Sequence, residues 1–119
     1  MLNDRKVLIV EAEFLIALDL QRMLEALGAG QVLFARNVEE ARKLEAHWPD
    51  MALAIVERRK DDDDTAGLLL ELGRAGLALV QMTSNFGLRH DTGHGPVVVK
   101  PIPEDALASA VAEALASKL

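Results

Sequence analysis

Short uninterrupted apolar runs alternate with helical stripes along this chain. The runs are Val7 to Val10, Val32 to Phe34, Met51 to Val56, Leu77 to Met82 and Val97 to Val99. Runs without polar alternation suit strands covered on both faces, as in a parallel sheet. Between the first two, Ile16, Leu20, Met23 and Leu27 recur at helical spacing and stop at Gly28 and Gly30. A second helix starts at Asn37, a good cap, and places Glu39 and Lys43 one turn apart. Leu68, Leu69 and Leu72 mark a third, with Asp64 or Thr65 as its cap. The last begins at Pro103, where Glu104 and Asp105 complement the helix dipole. The order βαβαβαβ, an irregular stretch, then βα predicts a doubly wound α/β domain. The stretch "TSNFGLRHDTGHGP", residues 83–96, holds three glycines and a proline. The fourth helix is therefore expected to be short, frayed or missing.

Composition narrows the setting. The 119 residues suit one domain, 1–119. No apolar run approaches the roughly 18 residues of a membrane span, and the first segment lacks a signal-peptide pattern, so a cytoplasmic protein without membrane contact is expected. A net charge of -6 opposes a phosphate backbone, and Phe14, Phe34, Phe86 and Trp48 make no stacking platform. Nucleic acid is excluded as a direct partner on that basis. The absence of cysteine removes disulfides, thiolate nucleophiles and sulfur metal sites. The Met1 start and an end just after the last helix favour a whole protein or a cleanly bounded unit.

The densest charge runs from Glu57 to Asp64, eight consecutive charged residues of which Glu57 and Asp61 to Asp64 are acidic. The four aspartates read as a solvated loop that supplies a cap and negative charge to the next helix. Their spacing lacks the alternation and the glycine of a calcium loop. His90 and His94 with Asp91 have a helical metal-pair spacing, but Gly93 and Gly95 argue for a loop instead, and no metal site is expected there. His47 and Trp48 read as a helix-end packing pair.

Doubly wound sheets place their sites beyond the carboxyl ends of the strands. That rim holds Glu11, Ala12 and Glu13, then Ile55 to Glu57, then Thr83 and Ser84, then Lys100 and Pro101. The opening "VLIVEAEFLIALDLQRMLEALG", the "HWPD" before the third run, "QMTSNF" with Thr83 and Phe86, and "VVVKPIPEDAL" together resemble a response-regulator receiver domain of two-component signalling. The resemblance covers essentially the whole chain. It implies a flavodoxin-like five-stranded parallel sheet of order 2-1-3-4-5 and a cis Lys100-Pro101 bond. It also implies a site for aspartyl phosphorylation by a histidine kinase, in which clustered carboxylates hold Mg²⁺ while a hydroxyl and an ammonium meet the phosphoryl group.

Position by position, Glu11 and Ala12 occupy the acidic pair, Thr83 the hydroxyl and Lys100 the ammonium. The acceptor stands six places after the proline in receivers, and that count from Pro49 reaches Ile55. The signalling aromatic, three places before the lysine, is Val97. An isoleucine neither accepts phosphate nor ligates metal, so the chain reads as a degenerate pseudo-receiver with one remaining site carboxylate, Glu11, and with Mg²⁺ binding weak or absent. It is expected to be no enzyme and to act by phosphorylation-independent protein-protein interaction with a histidine kinase, regulator or scaffold. Replacing two carboxylates by Ala and Ile is expected to stabilise the unliganded domain by ~1–3 kcal/mol. Ala106, Ala110 and Ala114 on the last helix, with Phe14 and Leu18 on the first, are the candidate interface, and a homodimer is a second use of those faces. The alternative is a phosphorylatable receiver that uses Glu57 or one of Asp61 to Asp64 as acceptor.

Overall fold

The computed structural model describes residues 1–59 and 62–118. Its strands are β1 (Lys6–Val10), β2 (Val32–Ala35), β3 (Met51–Glu57), β4 (Ala78–Thr83) and β5 (Val97–Val99). They form one parallel sheet in the order β2-β1-β3-β4-β5. The helices are α1 (Phe14–Ala26), α2 (Val38–Lys43), α3 (Asp63–Arg74) and α4 (Glu104–Ala116). This is the doubly wound α/β architecture that the alternating pattern predicts. The β4-to-β5 crossover holds only a 3-10 turn, Phe86–Leu88, so the regular fourth helix is missing.

Each apolar strand feeds both faces of the sheet. Alternate residues Val7, Ile9, Leu53, Ile55, Val80 and Met82 pack under α1 and α4, against Leu20, Met23, Leu107 and Val111. Their neighbours Leu8, Val10, Ala54 and Val56 pack under α2 and α3, against Ala41, Trp48, Leu68, Leu69 and Leu72. The two-sided burial explains why no polar alternation interrupts these runs. Among the described residues no helix is long and apolar enough to cross a membrane.

Several local details differ from the sequence reading. The cap of α3 is Asp62, whose Oδ1 accepts from the Thr65 N–H at 3.1 Å; Thr65 itself lies inside the helix, where its hydroxyl donates to Asp62 Oδ2. Asn37 caps α2 by accepting from the Glu40 N–H at 2.9 Å. Trp48 is buried and donates its indole N–H to the Ala41 carbonyl, whereas His47 is exposed and packs no core. Ala110 and Ala114 are buried against the sheet and Ala106 is half-buried. Ala110 and Ala114 belong to the inward face, with Leu107 and Val111, and so cannot serve as the interface proposed for them. Small side chains at one-turn spacing bring the helix backbone close to the sheet rather than to a partner. Phe14 and Leu18 do lie on the surface, 72% and 40% exposed.

Candidate functional site

The carboxyl ends of β1, β3, β4 and β5 converge on one polar cluster. Glu11 follows β1 directly, and its backbone N–H donates to the Ala35 carbonyl of β2, which fixes its height above the sheet. Its side chain turns inward and is fully buried. Oε2 accepts from the Glu13 N–H at 3.0 Å. Oε1 has no hydrogen bond of good angle, and its charge is offset instead by the Lys100 ammonium at 2.5 Å.

Lys100 leaves β5 with its own N–H donated to the Thr83 carbonyl, so the ends of β4 and β5 are tied together beneath it. Its ammonium also donates to Glu57 Oε2 at 2.6 Å. One cation thus bridges two carboxylates from β1 and β3. Burial of Lys100 works against its charged form, but its close pairing with the carboxylates of Glu11 and then Glu57 outweighs that and holds its pKa above the ordinary lysine value. The peptide bond that follows it, Lys100-Pro101, is cis.

Glu57 occupies a place that the count from Pro49 assigns to Ile55. In the structure Ile55 is inside β3, fully buried, beside Ile9 and Val80 in register. It lies too far down the strand to reach the rim. Val56 pairs with Val10, which sets Glu57 level with Glu11 at the strand tips. The reading of a single remaining site carboxylate is therefore corrected to two. Part of the offset arises where Lys6 faces Met51 but Val7 faces Leu53, so that Ala52 is skipped in the pairing. Fixed spacing from a proline cannot reveal such an irregularity.

The other rim positions have modest surroundings. Thr83 is buried and its hydroxyl accepts from the Asn85 N–H at 3.0 Å. Val97 is half-buried on the edge strand, paired with Gln81. Ala12 is exposed and offers no side-chain oxygen. Arg59 stands 4.0 Å from Glu57 on the open side. Of the four aspartates, Asp62 is spent on capping, Asp63 and Asp64 lie in the first turn of α3, and Asp61 lies outside the described residues.

Mg²⁺ takes near-octahedral oxygen coordination and usually draws on more than one free carboxylate. Here both site carboxylates are engaged by Lys100, and among the described residues no group of three or more acidic or histidine side chains is disposed to hold a metal ion. The residues present do not fit the divalent site of the family the sequence resembles.

A polar connection on the opposite face of the sheet escaped the sequence reading. Arg58, next to Glu57 but pointing to the other side, donates to Gln81 Oε1 at 2.8 Å and pairs with Asp91 at 2.9 Å. The buried Gln81 amide in turn donates to the Asp91 and Gly95 carbonyls at 3.0 and 2.9 Å. This latch holds residues 91–95 against β4 where a helix would otherwise lie. The signal was present as a lone amide in the apolar run "LALVQM", because a buried amide requires partners.

No family model matches the sequence, and no curated protein matches it. Solved structures do. The signal receiver domain of a modulated diguanylate cyclase from Desulfovibrio desulfuricans G20 superposes with a TM-score of 0.75 at 24% identity, over 96% of this chain and 95% of that one. A response regulator receiver domain from Clostridium thermocellum gives 0.75 at 21% identity, over 96% of each chain. The PhyR response regulator receiver domain of Erythrobacter litoralis gives 0.74 at 23% identity, over 95% of this chain and 91% of that one. The fold is the receiver fold. Within that receiver fold, Glu11, Glu57, Thr83 and Lys100 stand together at the carboxyl ends of the strands, and Ile55 does not join them.

Proposed function

We propose that this receiver-fold chain is an atypical single-domain response regulator, a pseudo-receiver, that serves two-component signal transduction by binding a protein partner without a phosphorylation cycle of its own. The observation that carries the reading is the Lys100 ammonium bonded to both Glu11 and Glu57. Phosphoryl transfer depends on positioned cations that meet the charge of the moving group. In this site the cation is already satisfied, the would-be acceptor is a glutamate rather than an aspartate, and Ala12 supplies no side-chain metal ligand. Mg²⁺ binding is accordingly weak or absent, and the domain rests in one state.

The partner is a histidine kinase, a regulator or a scaffold of such a pathway. Phe14 and Leu18 offer it an apolar contact on α1 beside the site. Retention of a partner by the purified chain should be the same with and without a small phosphodonor and Mg²⁺. It should fall on Phe14→Glu or Leu18→Glu. A partner held only after phosphodonor treatment would defeat the proposal.

One observation favours the second reading, a self-phosphorylating receiver. Glu57 is level with Glu11 and beside Lys100, where an acceptor carboxylate would stand. In that case an acid-labile adduct would map to Glu57 and vanish in Glu57→Gln.

A further inference from the structure

The missing crossover helix leaves a groove. It has a volume of about 610 Å³ and runs from α3 past the start of β5 to the end of α4. Leu69, Leu70, Leu79 and Pro96 supply its apolar wall. Leu70 is 50% exposed there, although it lies on a helix whose other leucines, Leu68, Leu69 and Leu72, are fully buried. In a doubly wound sheet that side of α3 normally meets the next crossover helix. The latch of Gln81, Arg58 and Asp91 fixes the 91–95 segment at one border, so the groove is preformed.

Its charge runs against that of the whole molecule. Arg74 and Lys118 line the groove, both exposed, and among the described residues neither makes a salt bridge, so no acidic side chain there neutralises them. His94 adds a third basic group, and Glu113 is the one acidic side chain of the lining. In a chain of net charge -6, these two cations, without a salt bridge among the described residues and flanking leucines, form a local complement for negative charge.

We infer that this groove docks an amphipathic helix of a partner protein, with an apolar stripe seated on Leu70 and Leu79 and acidic residues facing Arg74 and Lys118. The geometry is that of a helix laid in a hydrophobic groove, with anchors at one-turn intervals. The inference rests on the reading of the chain as an interaction module and adds a second contact, apart from that of Phe14 and Leu18 on α1. It uses no residue of the Glu11, Glu57 and Lys100 cluster, so the two are separable by experiment.

The test is titration of the full, isotope-labelled chain with a synthetic helical peptide carrying leucines on one face and glutamates beside them, followed by NMR. A control peptide has lysines in place of the glutamates. The expected result is shifts confined to the amides around Leu70, Leu79 and His94 with the glutamate peptide, and at least tenfold weaker binding of the lysine peptide. The Arg74→Glu, Lys118→Glu double variant should reverse that preference, and because both sites are exposed it keeps the fold. Glu57→Gln should leave peptide binding unchanged while it tests the phosphoryl reading by mass. Equal binding of the two peptides, no shifts, or shifts centred on α1 would overturn the inference. So would self-association of the unliganded chain through Leu70 in a dilution series, since the occupant would then be a second copy.

Discussion

Lys100 Nζ stands 2.6 Å from Glu57 Oε2 while it also faces the fully buried Glu11 carboxylate. Removing the ammonium strands a buried negative charge. Lys100→Met should therefore destabilise the domain by about 3–5 kcal/mol near neutral pH, the cost typical of breaking a buried pair by deleting one member. Urea unfolding of the two proteins measures the difference, and a change below about 1 kcal/mol would mean that the bridge does not hold the strand tips together.

The same bridge has a pH signature. Its close carboxylate pairing raises the Lys100 pKa in the folded state above the ordinary value of 10.5. A raised folded pKa means that the folded state holds the proton more tightly than the unfolded chain. The stabilisation is thus complete below 10.5, the unfolded value, and is lost as pH rises through the folded one. Denaturation midpoints above pH 10 should fall more steeply for the native chain than for Lys100→Met.

Restoring one oxygen should change the metal chemistry. Ala12 is exposed at the rim beside Glu11. Ala12→Asp adds a carboxylate that no lysine neutralises, and calorimetric titration should show Mg²⁺ affinity rising at least tenfold over the native chain. An unchanged isotherm would place the deficit elsewhere than at Ala12.

The inward alanines give a packing test. Ala110→Leu and Ala114→Leu insert volume between α4 and the sheet and should cost about 1–3 kcal/mol each. Ala112→Leu, on the exposed side, should change stability by no more than about 0.5 kcal/mol. Thermal or urea unfolding separates the two classes.

Gln81 offers a test of the latch. Gln81→Leu leaves Arg58 and two loop carbonyls without this partner, at a cost of about 1–3 kcal/mol. Amide exchange in 89–96 should accelerate, while exchange in β1 and β3 stays slow relative to it.

Most of the fold was legible because two-sided burial and helical stripes leave strong periodic signals. The five apolar runs and Ile16, Leu20 and Met23 fall where they were read. The absent crossover helix followed from its glycines. The site was legible only in part. Lys100, Glu11 and Thr83 sit at ends that the pattern defines, but Ile55 was placed by counting from Pro49, and counting assumes regular pairing. The skipped Ala52 breaks that assumption, and only the pairing of Val56 with Val10 brings Glu57 to the rim. The inward position of Ala110 and Ala114 is hidden in the sequence for a related reason. Composition marks a helix as closely packed without telling which neighbour it packs against. The Gln81 latch depends on Arg58 and Asp91, partners far along the chain that no local pattern links.

The most direct measurement is the intact mass of the native chain after incubation with a small phosphodonor and Mg²⁺. The pseudo-receiver account predicts an unchanged mass, with the bridged Lys100 and the metal-poor rim refusing the transfer. A stoichiometric, acid-labile phosphoryl adduct on Glu57 would contradict it.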